Sequence, residues 1–379
     1  MCKMNFEGVS KERIQKELQG AKEENLDLGR SRVLGSMCTV PHPIAVEAHM
    51  GFIDSNLGNP GLCRGTGRLE REVLRMVGGL VNLEDPSGHF LSGATEANIT
   101  AMFMARSRGK RKVIYPVSAH FSVEKAVKLM ELEPVRIGLD DGYRMDLGEL
   151  EDAVDDGTAI IFSVAGTTEL GAVDPVDRIV SIANGIPVHV DAAFGGFVLP
   201  FLDQEQVRKR AGVWDFRNEG VTSMAADPHK MGLSTIPGGC LLYRDLEGFA
   251  HLGVDSPYLT TPVSYTLSGT RASGAVAGAY AVMRYLGREG YGSIVRRCME
   301  NTSRLKEGLV RLSMEPIIDP LMNILAVHHP EPERVKGALE MEGWYISTVR
   351  EPSGLRFVIM PHVTSEAIDE LIDVMERAL

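Results

Sequence analysis

Between residues 112 and 226 the chain alternates short apolar runs with amphipathic stretches, and that alternation admits few folds. The apolar runs are "KVIYPV", "PVRIGL", "TAIIFSVAG", "IPVHVDAAFGG" and "VTSMAADPHK"; between them lie "FSVEKAVKLMEL", "LGELEDAV" and "PVDRIVSIAN". Strands apolar on both faces and joined by helices predict a mostly parallel sheet covered on both sides. "GGCLLYRD" adds a further strand. Upstream, "GRLEREVLRMVGGLV" (67–81) spaces Leu69, Val73, Met76, Val77 and Leu80 as one face of a helix. "SGATEANITAMFMARSRG" reads as a turn running into a second helix. From about residue 273 come two long helical stretches, then "NILAVHH", "EPERVKGALEMEG", "WYISTV", "LRFVIMPH" and a closing helix. A chain of 379 residues exceeds one comfortable core. The expected division is an N-terminal arm (1–55), a large domain (56–285) and a small α+β domain (286–379).

Charge and cysteine content narrow the class of function. A net charge of −11 disfavours nucleic acid and anionic membranes, both of which call for a basic face. "MCKMNFEGVSKERIQKELQG" lacks the apolar stretch of a secretory signal, and no run approaches the ~20 residues of a membrane span. Cys2, Cys38, Cys63, Cys240 and Cys298 are scattered and never spaced as CxxC. They read as reduced thiols in a cytoplasmic protein. "HH" at 328–329 has no partners at ligand spacing, so no metal is expected.

Ligands of such sheets sit at the carboxyl ends of the strands. Three polar clusters fall there: "SAHFS", "VDAAFGG" and "ADPHK". Lys230, in the last, stands among small and apolar residues. It is a snorkelling lysine, a phosphate ligand, or an amine nucleophile whose pKa is drawn down by partial burial. No GxxxxGK[ST] is present to support a nucleotide loop, and no GxGxxG to support a dinucleotide fold. "SGATEAN" (92–98) sets Gly93, Ala94 and Thr95 at a helix start, either an ordinary cap or a phosphate site built on free N–H groups. Asp191 closes an apolar strand, where a carboxylate needs a partner. It caps a neighbouring helix, or it pairs with a pyridinium nitrogen, with small Ala193 leaving room for a flat ring. His120 is a satisfied structural histidine or an imidazole stacked on the other face of that ring. Phosphate site, ring-nitrogen acid, stacking imidazole and Schiff-base lysine together specify pyridoxal 5′-phosphate.

With these residues assembled, the chain resembles the group II pyridoxal-phosphate decarboxylases of fold type I, and within them the archaeal tyrosine/aspartate decarboxylases. The likeness runs from about Gly35 to His362 through "PHPIAVEAH", "NLGNPGL", "GTGRLE", "SGATEAN", "SAHFSVEKA", "GTTELGAVDP", "HVDAAFGGFVLPF", "DPHKMG", "SGTRASG" and "VIMPHVT". It implies the aspartate-aminotransferase-like α/β fold and a homodimer with shared active sites. It further implies that Lys230 bonds the cofactor, Asp191 pairs with its ring nitrogen and His120 stacks on it. Thr95 and His229 are expected at the phosphate, Thr168 near the ring, and Arg356 on the substrate α-carboxylate. Gly269 and Thr270 are expected to reach the phosphate of the neighbouring subunit. Cys63, Arg64 and Phe357 depart from the family pattern and bear on the substrate pocket.

The implied reaction is α-decarboxylation, with Tyr258 or Tyr265 of the polar segment 254–269 returning a proton to Cα; Tyr258 is preferred. Tyrosine, giving tyramine for methanofuran, and aspartate, giving β-alanine for coenzyme A, are the substrates the resemblance allows. An aspartate site needs a second cation, because an unpaired buried carboxylate is costly. The segment "GSMCTVPHPIAV", expected to line the pocket, offers only His42, with Arg64 beyond it. Tyrosine is therefore expected as the better substrate. The alternatives are another fold-type-I lyase, such as a desulfurase or carbon–carbon lyase, and a catalytically silent cofactor-binding dimer.

Overall fold

The computed structural model describes residues 8–106, 109–244 and 246–378, so Cys2 lies outside the described residues. Seven strands form the main sheet: β1 (Ser87–Leu91), β2 (Lys112–Pro116), β3 (Glu133–Ile137), β4 (Thr158–Val164), β5 (Val188–Asp191), β6 (Val221–Ala226) and β7 (Gly239–Tyr243). Their spatial order is β1-β7-β6-β5-β4-β2-β3. Strands β3, β2, β4, β5 and β6 pair in parallel, while β7 runs antiparallel to both β6 and β1. The parallel block is the one expected from the alternation. Every residue of β4 and β5 is buried, as strands covered on both faces must be.

Strand β1 was not anticipated. "SGHFL" is short, carries glycine and histidine, and shows no alternation. Tertiary contacts make it a strand: Gly88 admits the Leu241 carbonyl of β7 at a distance that any Cβ would block. Its outer edge is covered, since the Phe90 N–H donates to Glu70 Oε1 at 2.9 Å and Arg271 Nη1 donates to the Phe90 carbonyl at 3.1 Å. An open edge would invite pairing with another chain.

The helices flanking the sheet, Arg64–Leu80 among them, pack their apolar faces onto it. Residues 273–311 form two helices joined at Gly287, whose φ of +56° is left-handed and interrupts the helix. Beyond a small two-stranded hairpin, β8 (Val254–Asp255) and β9 (Val263–Ser264), the chain builds a second sheet. It comprises β10 (Ile324–His328), β11 (Ser347–Val349) and β12 (Gly354–Val358), in the order β10-β12-β11. Trp344 and Phe357 lie in the separate core behind it. Leu34 threads beside this sheet, donating to the Tyr345 carbonyl at 2.7 Å and accepting from the Val358 N–H at 2.6 Å. The N-terminal segment is thereby carried across to the main sheet. No described helix is long and apolar enough to cross a membrane.

Candidate active site

The carboxyl ends of β4, β5 and β6 open onto a cavity of about 290 Å³, at the lower edge of the size range of ligand pockets. Lys230, Asp191, His120, His229, Thr168, Ala193 and the turn Gly93–Ala94–Thr95 all line it. Residues more than 130 positions apart in the sequence thus meet in one place. Met37, Ser92, Phe121, Val164, Gly166, Phe194 and Asp227 complete the described lining. Gly166 adopts a φ of +111° at the end of β4, a backbone conformation that side chains rarely tolerate. Gly239 lets β7 press against Gly93, with an added Cβ meeting the Gly93 Cα at 2.4 Å. That contact fixes the turn before helix Ala94–Arg106.

Asp191 ends β5 and is buried. Its Oδ2 accepts from Asn98 Nδ2 at 2.8 Å and its Oδ1 from the Ala193 N–H at 3.1 Å. His120 caps helix Phe121–Met130, where Nδ1 accepts from the Ser122 N–H at 3.3 Å. Burial, foremost, holds the His120 pKa below the ordinary histidine value. The His229 ring contacts the Gly238 carbonyl through Nδ1.

Lys230 differs from expectation. Its Nζ lies 3.1 Å from Asp227 Oδ2. Burial disfavours the ammonium, but the Asp227 and Asp191 carboxylates outweigh it, so the pKa is raised rather than drawn down. Asp227 itself is almost wholly buried, and its Oδ1 has no hydrogen-bond partner among the described residues.

Arg356, on β12, is buried beside the cavity and does not line it. Its Nη1 donates to Ser347 Oγ at 2.8 Å and to the Gly35 carbonyl at 3.3 Å, two residues before Met37. Its Nε and Nη2 are buried without partners among the described residues. Burial pushes its pKa down to about 10, with Glu169 opposing.

Other expected residues lie elsewhere in this chain. His42 caps helix Pro43–Gly51, accepting from the Ile44 N–H, and its ring lies 5.1 Å from Tyr285. Arg64 is exposed and donates to the Gly61 carbonyl at 3.2 Å. Tyr258 is 86% exposed, and Tyr265 stacks on Phe249. Gly269 and Thr270 are outside the lining, on a loop anchored by Ser268 to Glu96 at 2.8 Å and by Arg271 to Glu70. Conversely, Asn98, Ser122, His189 and Asp227 were not singled out. Asn98 ends the quoted "SGATEAN", one helical turn beyond Thr95, and a polar residue on that buried helix face was the available signal.

The geometry has the parts that pyridoxal 5′-phosphate requires: an amine at the cavity wall, a buried carboxylate on the same cavity, and the backbone of a helix start lining it. The profile described as "Pyridoxal-dependent decarboxylase conserved domain" matches residues 66–327. The chain belongs to the pyridoxal-dependent decarboxylase family. Its cofactor is pyridoxal 5′-phosphate, and its chemistry is that of a carboxy-lyase. Members of the family similar to it include the "Probable L-aspartate decarboxylase" of Archaeoglobus fulgidus, 44% identical over 97% of this chain and 99% of that protein. The "Probable L-tyrosine/L-aspartate decarboxylase" of Methanothrix thermoacetophila is 43% identical over 93% of this chain and 92% of that one. Among solved structures, the sphingosine-1-phosphate lyase of Burkholderia pseudomallei superposes with a TM-score of 0.91 at 24% identity, covering 100% of this chain and 92% of that one. The likeness bears out the fold-type-I architecture.

Proposed function

We propose that this decarboxylase acts on L-tyrosine and L-aspartate, with tyrosine preferred. The observation that carries a substrate carboxylate into the reading is Arg356. A buried guanidinium with two partnerless donors is costly unless something accepts from it, and a carboxylate does so in matching fork geometry. Lys230 would bond the cofactor, Asp191 face its ring nitrogen and His120 its ring face, with Ala193 leaving room beside it. Gly93, Ala94, Thr95 and His229 would hold the phosphate, and Thr168 would lie near the ring. When bound, the cofactor supplies the sink for the electrons of the broken Cα–carboxylate bond. The Asp191 carboxylate would favour a protonated ring nitrogen as that charge develops.

The relatives' names supply the two candidate substrates. The preference for tyrosine is supported by the described lining, in which Met37 and Phe121 are apolar and no arginine appears. The reading includes a cytoplasmic homodimer, in which Gly269 and Thr270 serve the neighbour's phosphate and Tyr258 swings in to return the proton. It also keeps the division into arm (1–55), large domain (56–285) and small domain (286–379). Helix Lys11–Glu23, which buries no residue on its own chain, supports the arm. Measuring kcat/KM for both amino acids tests the preference. Aspartate favoured tenfold or more, about 1.4 kcal/mol, would overturn it.

A further inference from the structure

Beneath the cavity, polar side chains from four elements are joined end to end. Ser223 Oγ lies 2.8 Å from His189 Nδ1, and His189 Nε2 lies 3.0 Å from Asn98 Oδ1. The Asn98 amide nitrogen then branches, donating to Asp191 Oδ2 at 2.8 Å and to Ser122 Oγ at 2.9 Å. Ser122 Oγ lies 2.9 Å from His120 Nδ1. Asn98, His189 and Ser122 have no exposed surface, and Ser223 has very little.

The direction of each hydrogen follows from one end of the chain. A carboxylate only accepts, so the nitrogen of Asn98 faces Asp191 and its oxygen faces His189. That oxygen accepts in turn, so the hydrogen of the neutral His189 ring sits on Nε2. Nδ1 then accepts from the Ser223 hydroxyl. On the other branch, the Ser122 backbone N–H donates to His120 Nδ1, which makes that nitrogen an acceptor. The Ser122 hydroxyl, accepting from Asn98, therefore donates its own hydrogen to the same Nδ1. Two donors aimed at Nδ1 leave the single hydrogen of the neutral His120 ring on Nε2 and oppose a second one on Nδ1.

We infer that Asn98 is a positioning residue that governs both groups assigned to the cofactor ring, holding Asp191 as an acceptor and His120 in its Nε2–H form. The inference rests on the roles proposed above for Asp191 and His120. Through Asn98, one amide ties the carboxylate at the ring edge to the imidazole at the ring face. Other charges also act on His120: Asp191 and Asp227 favour its protonation, while Lys230 and Lys125 oppose it. None of these depends on the Ser122 hydroxyl.

Nitrogen NMR of the full chain, labelled at histidine and free of cofactor, tests this without turnover. The wild type is expected to show His120 as the Nε2–H form. Asn98→Leu frees the Ser122 hydroxyl to rotate and accept from Nδ1–H, so the His120 titration midpoint rises by half a unit or more. Ser122→Ala removes one donor and raises the midpoint in the same direction, while the His189 signals stay as in the wild type. That variant carries the test if Asn98→Leu does not fold. In the loaded enzyme both substitutions lower kcat by about tenfold with KM within about twofold. His120 in the Nδ1–H form in the wild type, or a midpoint unmoved in both variants, overturns the inference. If it falls while Asp191→Asn still lowers kcat about a hundredfold, the proposed function stands.

Discussion

Lys230 and Asp227 form an ion pair with 3.1 Å between Nζ and Oδ2, partly shielded from water on the lysine side and almost wholly on the carboxylate side. The protein therefore holds its amine charged, whereas attack on a carbonyl needs the neutral form. Asp227→Asn removes the nearer charge and leaves burial, which by itself lowers the lysine pKa. In the cofactor-free variant, labelling of Lys230 by an amine reagent is expected to begin at lower pH than in the wild type. An unchanged pH profile would show that Asp227 does not control the amine.

Removing the lysine exposes the other half of that pair. Lys230→Met leaves the buried Asp227 carboxylate without its nearest cation, with only His229 Nε2 at 3.8 Å, a change worth about 3 kcal/mol of lost stability in urea unfolding at neutral pH. Adding Asp227→Asn to the same chain is expected to recover much of that loss. Lys230→Met also yields no borohydride-trapped cofactor adduct, and turnover falls on the order of a thousandfold or more. Retention of wild-type turnover would remove Lys230 from its assigned role.

Asp191→Asn removes the negative charge and leaves one acceptor oxygen where two served Asn98 and the Ala193 N–H. Cofactor binding is expected to persist while kcat drops about a hundredfold, the usual scale for losing one preorganised electrostatic contact. Near-normal kcat would reduce Asp191 to a structural cap on Ala193.

Arg356→Met separates stability from function. Its two unsatisfied donor nitrogens, Nε and Nη2, cost the empty protein free energy, so the variant should unfold at the same urea concentration or a higher one. The same variant should lose about a hundredfold in kcat/KM, mostly through KM. A marked loss of stability with normal KM would contradict a role on the substrate carboxylate.

Acid should weaken the fold through two histidines, His189, which is buried, and His89, which is largely covered. Burial pushes His189 and His89 down to about 4 each. Their stabilising effect is complete above the unfolded value near 6.5 and fades as pH falls towards 4, by about 3 kcal/mol apiece. Asp174 acts oppositely, because burial raises it to about 6, so its effect on stability worsens as pH rises from about 4 to 6. Asp174→Asn should therefore show a steeper gain in stability over that interval than the wild type, read by urea unfolding at several pH values. A shallower gain would mean that the sign assigned to Asp174 is wrong.

The parallel block and the strand-end cluster of Lys230, Asp191 and His120 were legible because burial on both faces and carboxyl-end polarity are local signals. Other features depend on distant partners. Strand β1 exists because Gly88 admits Leu241 and Glu70 covers its edge, neither of which its five residues reveal. The raised pKa of Lys230 depends on Asp227, which was quoted with it but not weighed. His42 was read as a pocket cation because it was the one side chain in its segment able to become cationic; its imidazole is instead committed to a helix cap. Asn98 was invisible for a related reason: its importance comes from His189 and Ser122, which reach it from other elements.

The stretch bearing Lys230 leaves the sheet at Ala226 and returns at Gly239, and these strands are antiparallel neighbours with Ala226 opposite Cys240. Both ends of the loop are thus moored to adjacent rungs of one ladder. The conformational entropy of aiming the lysine is lost when the sheet zips together, not when the cofactor arrives. Capture then begins from a loop already tied down, so its rate should be insensitive to viscosity-dependent rearrangement of the main chain there.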